Sequence, residues 1–284
     1  MRVRVEATGP LTTVQDTGRP GYAALGVPRS GALDRPAAAL AARLVGLPPR
    51  AAVLEVTLGG LRLAAPPRPC WVAVTGARAP VTADGRARPH AEAFWWATGP
   101  LELGAPADGV RSYVALGGGL EVAPVLGSRS TDVLAGLGPA PLAPGDVLPV
   151  GDAPGTPVAV DVAGVRRPGL LRLHPGPRAD WVDDALERLC RARWRVLPAS
   201  NRVGLRLTPE DEALPRAAAY AGAELPSEGM VLGAVQVPPD GGAVVFLSDH
   251  PTTGGYPVVA VVDETDLWQA AQARPGERVG FTRA

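Results

Sequence analysis

Two stretches in the last third of the chain carry residue types that could do chemistry on a small molecule. They run from Glu224 to Gly242 and from Leu247 to Pro257. They place carboxylates, hydroxyls, an amide and a histidine between glycines and prolines, which fix the direction of the backbone. Because polar loops of fixed geometry commonly bind ligands, we predict that these stretches form the wall of a rigid pocket.

Two acids in these stretches, Glu228 and Asp249, are the candidate catalytic residues. Glu228 could act as a general base if burial raised its pKa, and the alternative is an acid that only caps a turn or a helix start. Asp249 lies in a Ser-Asp-His sequence, but neighbours on a strand point to opposite faces and cannot form a hydrolase triad among themselves. We expect Asp249 to belong to a loop that closes over a ligand. The candidate substrate-binding residues of this half are Asn201, Arg202, Ser227, Gln236, Thr252, Thr253 and Tyr256.

A second polar stretch lies near the start of the chain, between Thr13 and Asp34. It supplies an amide, a carboxylate, the two guanidinium groups of Arg19 and Arg29 and a hydroxyl on loops rich in glycine, which together could orient a small molecule that bears a carboxylate and an amide. The candidate binding residues here are Gln15, Asp16, Arg19 and Ser30. The alternative is that Asp16 is a turn residue with Arg19 as its ion-pair partner. Further along, the sequences 117–121 and 127–132 could form a nest of backbone amides for an anion, and the alternative is a strand that ends in a tight glycine turn without any ligand.

Composition excludes several classes of function. The 28 basic and 28 acidic residues balance, so no long-range field attracts nucleic acid or an anionic membrane. The chain has no lysine, which excludes a Schiff base and the lysine of a phosphate-binding loop. Two cysteines and three widely separated histidines predict neither a disulfide framework nor a metal site. No apolar run approaches the roughly 18 residues of a membrane span, and we predict a cytoplasmic protein.

Short apolar or alternating segments bounded by Gly, Pro or Asp predict a mainly β protein. Three short helices are expected, capped by Asp34, Asp180 and Thr265. A doubly wound sheet would need a helix after nearly every strand, so strands closed into barrels with a few covering helices fit better. We predict two domains, residues 1–150 and 151–284, with the boundary inside the proline-rich and glycine-rich stretch at 139–168. The predicted strands are Arg2–Thr8, Cys70–Thr75, Ala93–Ala97, Arg111–Leu116, Val158–Val162, Val203–Leu207, Ala243–Ser248, Val258–Val262 and Glu277–Phe281.

Eight motifs in collinear order give the chain a close resemblance to the KipA family. This family is also described as the C component of 5-oxoprolinase, the second subunit of allophanate hydrolase or a biotin-dependent carboxyltransferase-like protein, and the resemblance covers essentially the whole chain. The motifs are Val14-Gln-Asp-Thr-Gly-Arg-Pro-Gly-Tyr22, Gly26-Val-Pro-Arg-Ser-Gly-Ala-Leu-Asp34, Leu54-Glu-Val-Thr-Leu-Gly-Gly60, Leu126-Gly-Ser-Arg-Ser-Thr-Asp132, Ser200-Asn-Arg-Val-Gly-Leu-Arg-Leu207, Leu225-Pro-Ser-Glu-Gly229, Gln236-Val-Pro-Pro-Asp-Gly241 and Thr252-Thr-Gly-Gly-Tyr-Pro257.

The resemblance implies two cyclophilin-like β-barrel domains and a role as one component of an enzyme. With a KipI-like partner (the B component) and a LamB/YcsF-like partner (the A component), the chain would open the cyclic amide 5-oxoproline to L-glutamate at the expense of ATP. ATP would bind with the help of a partner protein, because this chain has neither a phosphate-loop motif nor a dinucleotide fingerprint.

Two other functions stay open on the same resemblance. The first is the carboxyltransferase component of a urea carboxylase-like or allophanate system. Any biotin would then arrive on another protein, because this chain has no lysine to carry it. The second is regulatory, in which the chain binds a kinase inhibitor and relieves its inhibition.

Overall fold

The computed structural model describes residues 1–159 and 169–284, and the chain divides into two compact units. Unit 1 comprises Met1–Arg19 and Ser30–Val165, and unit 2 comprises Pro20–Arg29 and Arg166–Ala284. Part of the strand predicted at 158–162, residues 160–162, lies outside the described residues. The short segment Pro20–Arg29 groups with the second half of the chain although it belongs to the first half in sequence.

Unit 1 contains two antiparallel sheets, with strand orders β11-β1-β4-β9-β6-β7 and β2-β3-β10-β5-β8. Alternation in β1 buries Val3 and Val5, which join an apolar core shared by strands of both sheets. The strands are β1 (Arg2–Thr8), β2 (Leu11–Gln15), β3 (Val53–Thr57), β4 (Leu61–Leu63), β5 (Cys70–Gly76), β6 (Val81–Ala83), β7 (Arg86–Arg88), β8 (Ala93–Trp96), β9 (Leu101–Leu103), β10 (Arg111–Leu116) and β11 (Val147–Pro149).

Helix α1 (Arg35–Leu44) covers the second face of the five-stranded sheet. Asp34 caps it as predicted, because its Oδ1 accepts a hydrogen bond from Ala37 N over 3.0 Å. Strand β10 is therefore buried on both faces: Val114 lies in the core between the sheets, while Tyr113 lies in a second cluster under the helix.

Unit 2 contains a closed seven-stranded barrel in the order β12-β19-β16-β17-β14-β13-β20, in which a parallel pairing of β12 with β20 completes the closure. A separate two-stranded ribbon joins β15 to β18. The strands are β12 (Leu170–Pro175), β13 (Trp194–Val196), β14 (Gly204–Pro209), β15 (Glu228–Gly229), β16 (Ala234–Gln236), β17 (Ala243–Phe246), β18 (Thr253–Gly254), β19 (Val258–Val262) and β20 (Arg278–Arg283). The predicted mainly β fold is confirmed.

The helices of unit 2 are α2 (Ala185–Arg191) and α3 (Leu267–Gln272), and their predicted caps are wrong. Asp180 lies in a 3-10 turn, and its carboxylate accepts a hydrogen bond from the Tyr220 hydroxyl instead. A 3-10 turn at Glu264–Asp266 precedes α3, and Asp263 rather than Thr265 caps that turn. The local sequence predicted both helices correctly, but a 3-10 turn precedes each one, so each α-helix begins later in the chain than predicted.

Among the described residues, α1 is the longest helix, and none of the helices is long and apolar enough to cross a membrane.

Candidate functional site

The ribbon of β15 and β18 brings together the predicted polar residues of unit 2. Glu228 pairs with Gly254, and Gly229 pairs with Thr253, so the two stretches that the sequence singled out are hydrogen-bonded neighbours. Ser227, Thr253 and Tyr256 are exposed, and Thr252 is half-buried. The ribbon therefore presents several hydroxyl groups beside one carboxylate.

The side chain of Gln236, at the end of β16, contacts the residues that flank this ribbon on both sides. Its buried amide donates from Nε2 to Tyr256 O over 2.8 Å and contacts Met230 Sδ at 3.4 Å. A Cβ atom on Gly254 would lie 2.8 Å from Gln236 Nε2 and 3.0 Å from Met230 Sδ, so any side chain there would force Gln236 or Met230 to shift. Gln236 thus positions the ribbon and does not itself reach its exposed face.

Glu228 forms an ion pair with Arg178, a residue that follows β12. Arg178 Nε donates to Glu228 Oε2 over 3.1 Å, and Arg178 Nη2 donates to the other carboxylate oxygen. Hydrogen bonding from Arg178 lowers the pKa of the Glu228 carboxyl below its usual value, against an opposing effect of partial desolvation. The raised pKa on which the predicted base role depended is therefore not found in this structure.

Arg202 and Asp249 form a second ion pair in unit 2, and this pair is buried. The guanidinium donates from Nε to Oδ2 and from Nη2 to Oδ1, each over 2.9 Å. Asp249 N also donates to Arg202 O over 3.2 Å. Asn201, next in sequence, is exposed, and its Oδ1 accepts from the backbone amides of Val203 and Gly204. These residues fix the loops at the start of β14 and after β17.

In unit 1, Asp16 occupies the nest that the sequence predicted for an anion. Its Oδ1 accepts hydrogen bonds from Ser128 Oγ and Ser130 Oγ, each over 2.6 Å, and from Gly18 N over 2.8 Å. Its Oδ2 accepts from Arg129 N over 2.7 Å. The anion in the nest is thus a carboxylate of the chain itself, which joins two loops distant in sequence.

Gln15, Arg19 and Ser30 bind the same loop. Gln15 Nε2 and Ser30 Oγ donate to Thr131 O over 2.9 and 3.0 Å, and Arg19 donates to Ser130 O. The carboxylate that pairs with Arg19 is Asp132, with Nη1 and Oδ2 separated by 3.9 Å, so the alternative in which Arg19 is the partner of Asp16 is not what the structure shows. All three side chains are buried.

Two buried atoms of these residues, Gln15 Oε1 and Arg19 Nη1, have no hydrogen-bond partner among residues 1–159 and 169–284, and the same holds for Thr131 Oγ1. Buried polar groups are nearly always hydrogen-bonded, so these atoms could still donate to or accept from a small polar molecule.

Sequence reasoning missed Arg178, Ser128 and Ser130. The two serines lie in the predicted nest, where attention to side chains as well as backbone amides would have identified them. Arg178 follows a His-Pro-Gly-Pro sequence at the end of a strand, and this turn sequence is the local feature from which Arg178 could have been predicted as a site residue.

In the described part of the chain, no three His, Cys, Asp or Glu side chains come together to hold a metal ion. Two surface depressions of unit 2, of about 470 and 230 Å³, are lined by other residues than those predicted.

Comparison with known proteins extends over nearly the whole chain. Residues 25–283 match the family model of the carboxyltransferase domain, subdomains A and B. The C component of 5-oxoprolinase from Escherichia coli is 36% identical over 99% of this chain and 91% of its own length. The urea amidolyase of Saccharomyces cerevisiae is 30% identical over 98% of this chain but only 16% of that protein.

The crystal structure of TTHA0988 superposes with a TM-score of 0.88 at 39% identity, over 99% of this chain and 56% of that one. The chain thus spans little more than half of that solved chain, and a small part of the urea amidolyase. The family match covers both units, and the chain belongs to the carboxyltransferase domain family with subdomains A and B.

Proposed function

We propose that this chain is the C component of a cytoplasmic, ATP-dependent 5-oxoprolinase, which opens 5-oxoproline to L-glutamate together with a KipI-like B component and a LamB/YcsF-like A component. The observation that supports this most is the 36% identity to the E. coli protein of that name, over almost the full length of both chains. The ribbon of unit 2 adds a chemical reason, because its hydroxyls and carboxylate suit a small polar amide.

Opening a lactam is slow because resonance stabilises its carbonyl group. ATP, bound with the help of a partner protein, supplies the phosphoryl group that activates the lactam oxygen. This chain offers no nest for that phosphate at 127–132, because the Asp16 carboxylate already accepts the hydrogen bonds there. Its own contribution is to bind and orient the substrate and to direct water to the carbonyl carbon.

The residues of unit 2 divide into two roles in this proposal. Ser227, Thr252, Thr253 and Tyr256 bind the polar groups of the substrate through their hydroxyls, and the Glu228 carboxylate, kept ionised by Arg178, accepts a hydrogen bond from the attacking water and orients it. The candidate catalytic role of Asp249 becomes a positioning role, because its carboxylate forms the buried pair with Arg202. Gln236 and Asn201 likewise hold loops in place.

In unit 1, Gln15 and Arg19 are the binding candidates with a remaining polar atom each, and Asp16 and Ser30 organise the loops around them. Unit 1 thus offers a candidate binding position of its own, in which the Arg19 guanidinium would suit a carboxylate and the Gln15 carbonyl would accept from an amide N–H. Both atoms are buried, so binding there requires a local opening of the 127–132 loop.

The test is ATP-dependent release of glutamate by the complex reconstituted from this chain and the two partner proteins of the same genome. Glu228→Gln should lower kcat/KM about tenfold, because it removes a charged hydrogen-bond acceptor, and Arg202→Ala should lower activity together with stability. Glu264→Gln, an exposed acid of the same unit, is the matched control and should leave the rate unchanged. Wild-type rates in both Glu228→Gln and Arg202→Ala would remove these residues from the site.

A second candidate function is the carboxyltransferase component of a biotin-dependent system, which the 30% identity to urea amidolyase favours. Biotin would come on a separate carrier, because this chain has no lysine. The discriminating measurement is urea-dependent decarboxylation of a carboxybiotin carrier in the presence of this chain. Turnover there, without ATP-dependent glutamate release, would favour the second function over the first.

A further inference from the structure

Arg178 has N–H groups that its ion pair with Glu228 does not use. A guanidinium group carries five N–H donors, and the pair uses two of them, one on Nε and one on Nη2. Among residues 1–159 and 169–284, no atom accepts a hydrogen bond from Arg178 Nη1. In a planar guanidinium, the second N–H of Nη2 lies parallel to an N–H of Nη1, and such a fork matches a carboxylate. The end of the Arg178 side chain can therefore bind a second carboxylate.

The position of Arg178 suits a binding residue. Its side chain is 38% exposed, whereas the guanidinium of Arg202 is buried against Asp249. The backbone of the turn is fixed on β19, because Gly176 N donates to Val259 O and Arg178 N donates to Val258 O, each over 3.0 Å. A guanidinium group on such a turn costs less entropy to immobilise on a ligand.

Asp180 is the acid beside Arg178 that could compete with a ligand. Its carboxylate attracts the guanidinium electrostatically. In the described part of the chain, however, Asp180 makes no hydrogen bond with Arg178 and accepts one from the Tyr220 hydroxyl. Tyr220 is itself stacked on Trp181, with ring centroids 4.5 Å apart and an angle of 10° between the ring planes. The stack thus holds a hydroxyl against Asp180, and the end of Arg178 stays open.

A carboxylate on Arg178 would lie beside the ribbon of β15 and β18, because the same guanidinium holds Glu228 of β15. In 5-oxoproline, the carbon that bears the carboxylate and the lactam carbonyl carbon are bonded to the same ring nitrogen. Anchoring the carboxylate therefore also restricts where the carbonyl group can lie. Glu228, on the other edge of the guanidinium, is then close to the group that reacts.

We propose that the end of Arg178, formed by Nη1 and the second N–H of Nη2, binds the carboxylate of the substrate and makes unit 2 selective for a small amide that carries a negative charge. This inference rests on the proposed function in one respect, the choice of 5-oxoproline as the ligand. Urea has no carboxylate, so the same selectivity would favour the first proposed function over the second.

The test compares two probes, 5-oxoproline and its carboxamide 5-oxoprolinamide, in ligand-observed NMR titrations of the full chain. The probes have nearly the same shape, but only 5-oxoproline is charged. The wild type should bind 5-oxoproline about tenfold more tightly, because hydrogen bonds between charged groups are the stronger ones. Arg178→Gln removes the charge and the fork and should bring the two Kd values within about twofold of each other.

Two further variants separate the role of Arg178 from that of the ion pair. Glu228→Gln breaks the pair but leaves the guanidinium, so its preference for 5-oxoproline should equal or exceed that of the wild type. Arg206→Ala removes an exposed guanidinium from β14 and should retain the wild-type preference. A preference that falls equally in Glu228→Gln and Arg178→Gln would show that Arg178 acts only through Glu228, and would overturn the proposal.

The proposal is also overturned if the wild type binds neither probe, or if Arg178→Gln keeps the wild-type preference. The proposed function fails separately. A chain that prefers 5-oxoproline, and loses this preference in Arg178→Gln, supports the role of Arg178 even if the reconstituted complex releases no glutamate. Glutamate release together with an unchanged preference in Arg178→Gln would leave the function standing and remove Arg178 from substrate binding.

Discussion

Arg202 and Asp249 are held face to face inside unit 2 by two parallel hydrogen bonds, each 2.9 Å long. Removing one partner of a buried ion pair leaves the other charge in a medium of low polarity. We expect Arg202→Ala to lower the free energy of unfolding by about 3–5 kcal/mol, measured by urea denaturation.

Two controls accompany the Arg202 experiment. Arg206→Ala removes an exposed guanidinium from the neighbouring strand β14 and should change stability by less than about 0.5 kcal/mol. Arg202→Met combined with Asp249→Leu removes both charges and should restore much of the loss. Equal stability of Arg202→Ala and Arg206→Ala would show that the pair contributes nothing to the fold.

The Asp16 nest gives a second prediction. Asp16→Asn replaces one carboxylate oxygen by an amide N–H₂ group, which cannot accept from all four donors that now surround the carboxylate. We expect the free energy of unfolding of unit 1 to fall by about 1–3 kcal/mol in thermal or urea unfolding. Asp108→Asn, at an exposed acid of the same unit, should be nearly neutral. A neutral Asp16→Asn would contradict the structural role assigned to the nest.

The ribbon of unit 2 contains two glycines that should respond differently to a methyl group. Gly254→Ala would place Cβ 2.8 Å from Gln236 Nε2, whereas nothing lies within 4 Å of the corresponding position at Gly229. We expect Gly254→Ala to destabilise the protein by about 1–3 kcal/mol, because Gln236 must shift, and Gly229→Ala to be neutral or slightly stabilising. Proteolysis of the ribbon and thermal unfolding would measure the difference. The reverse order of the two variants would show that the ribbon is not packed as described.

The Glu228 carboxyl gives a prediction in acid. Its pKa in the folded chain is lowered by the hydrogen bond from Arg178, so the ion pair contributes fully above the ordinary pKa of glutamate, about 4.3. The contribution is lost as the pH falls through the lower, folded-state pKa. NMR titration should find the Glu228 pKa below its usual value in the wild type and higher in Arg178→Ala.

Both side chains of this pair are about one third exposed, so solvent screening should keep its effect on overall stability small. A Glu228 pKa that does not change when Arg178 is replaced would show that the pair does not form in solution.

The sequence by itself determined the mainly β class, the family and those elements whose signals are local. Helix α1 begins directly after Asp34, because the Asp34 carboxylate accepts a hydrogen bond from the backbone amide three residues later. This interaction is local and does not depend on the rest of the fold. Three strands have the predicted bounds: Arg2–Thr8, Arg111–Leu116 and Val258–Val262. Their signal, an alternation of polar and apolar residues or a continuous apolar run, depends only on residues adjacent in sequence. Strand β2 was missed because its polar residues Thr12, Thr13 and Gln15 are buried, against their ordinary preference.

Only the tertiary structure decided which charged and polar side chains are partners. Asp16 meets Ser128 across 112 residues, Glu228 meets Arg178 across 50, and Asp249 meets Arg202 across 47. No spacing rule of a helix or strand links positions so far apart, since the barrel and the sheets first bring them together. The sequence could therefore select Asp16, Glu228 and Asp249 as unusual residues by type and setting. It could not show that each carboxylate is already hydrogen-bonded within its own unit, because that depends on strand order and loop packing.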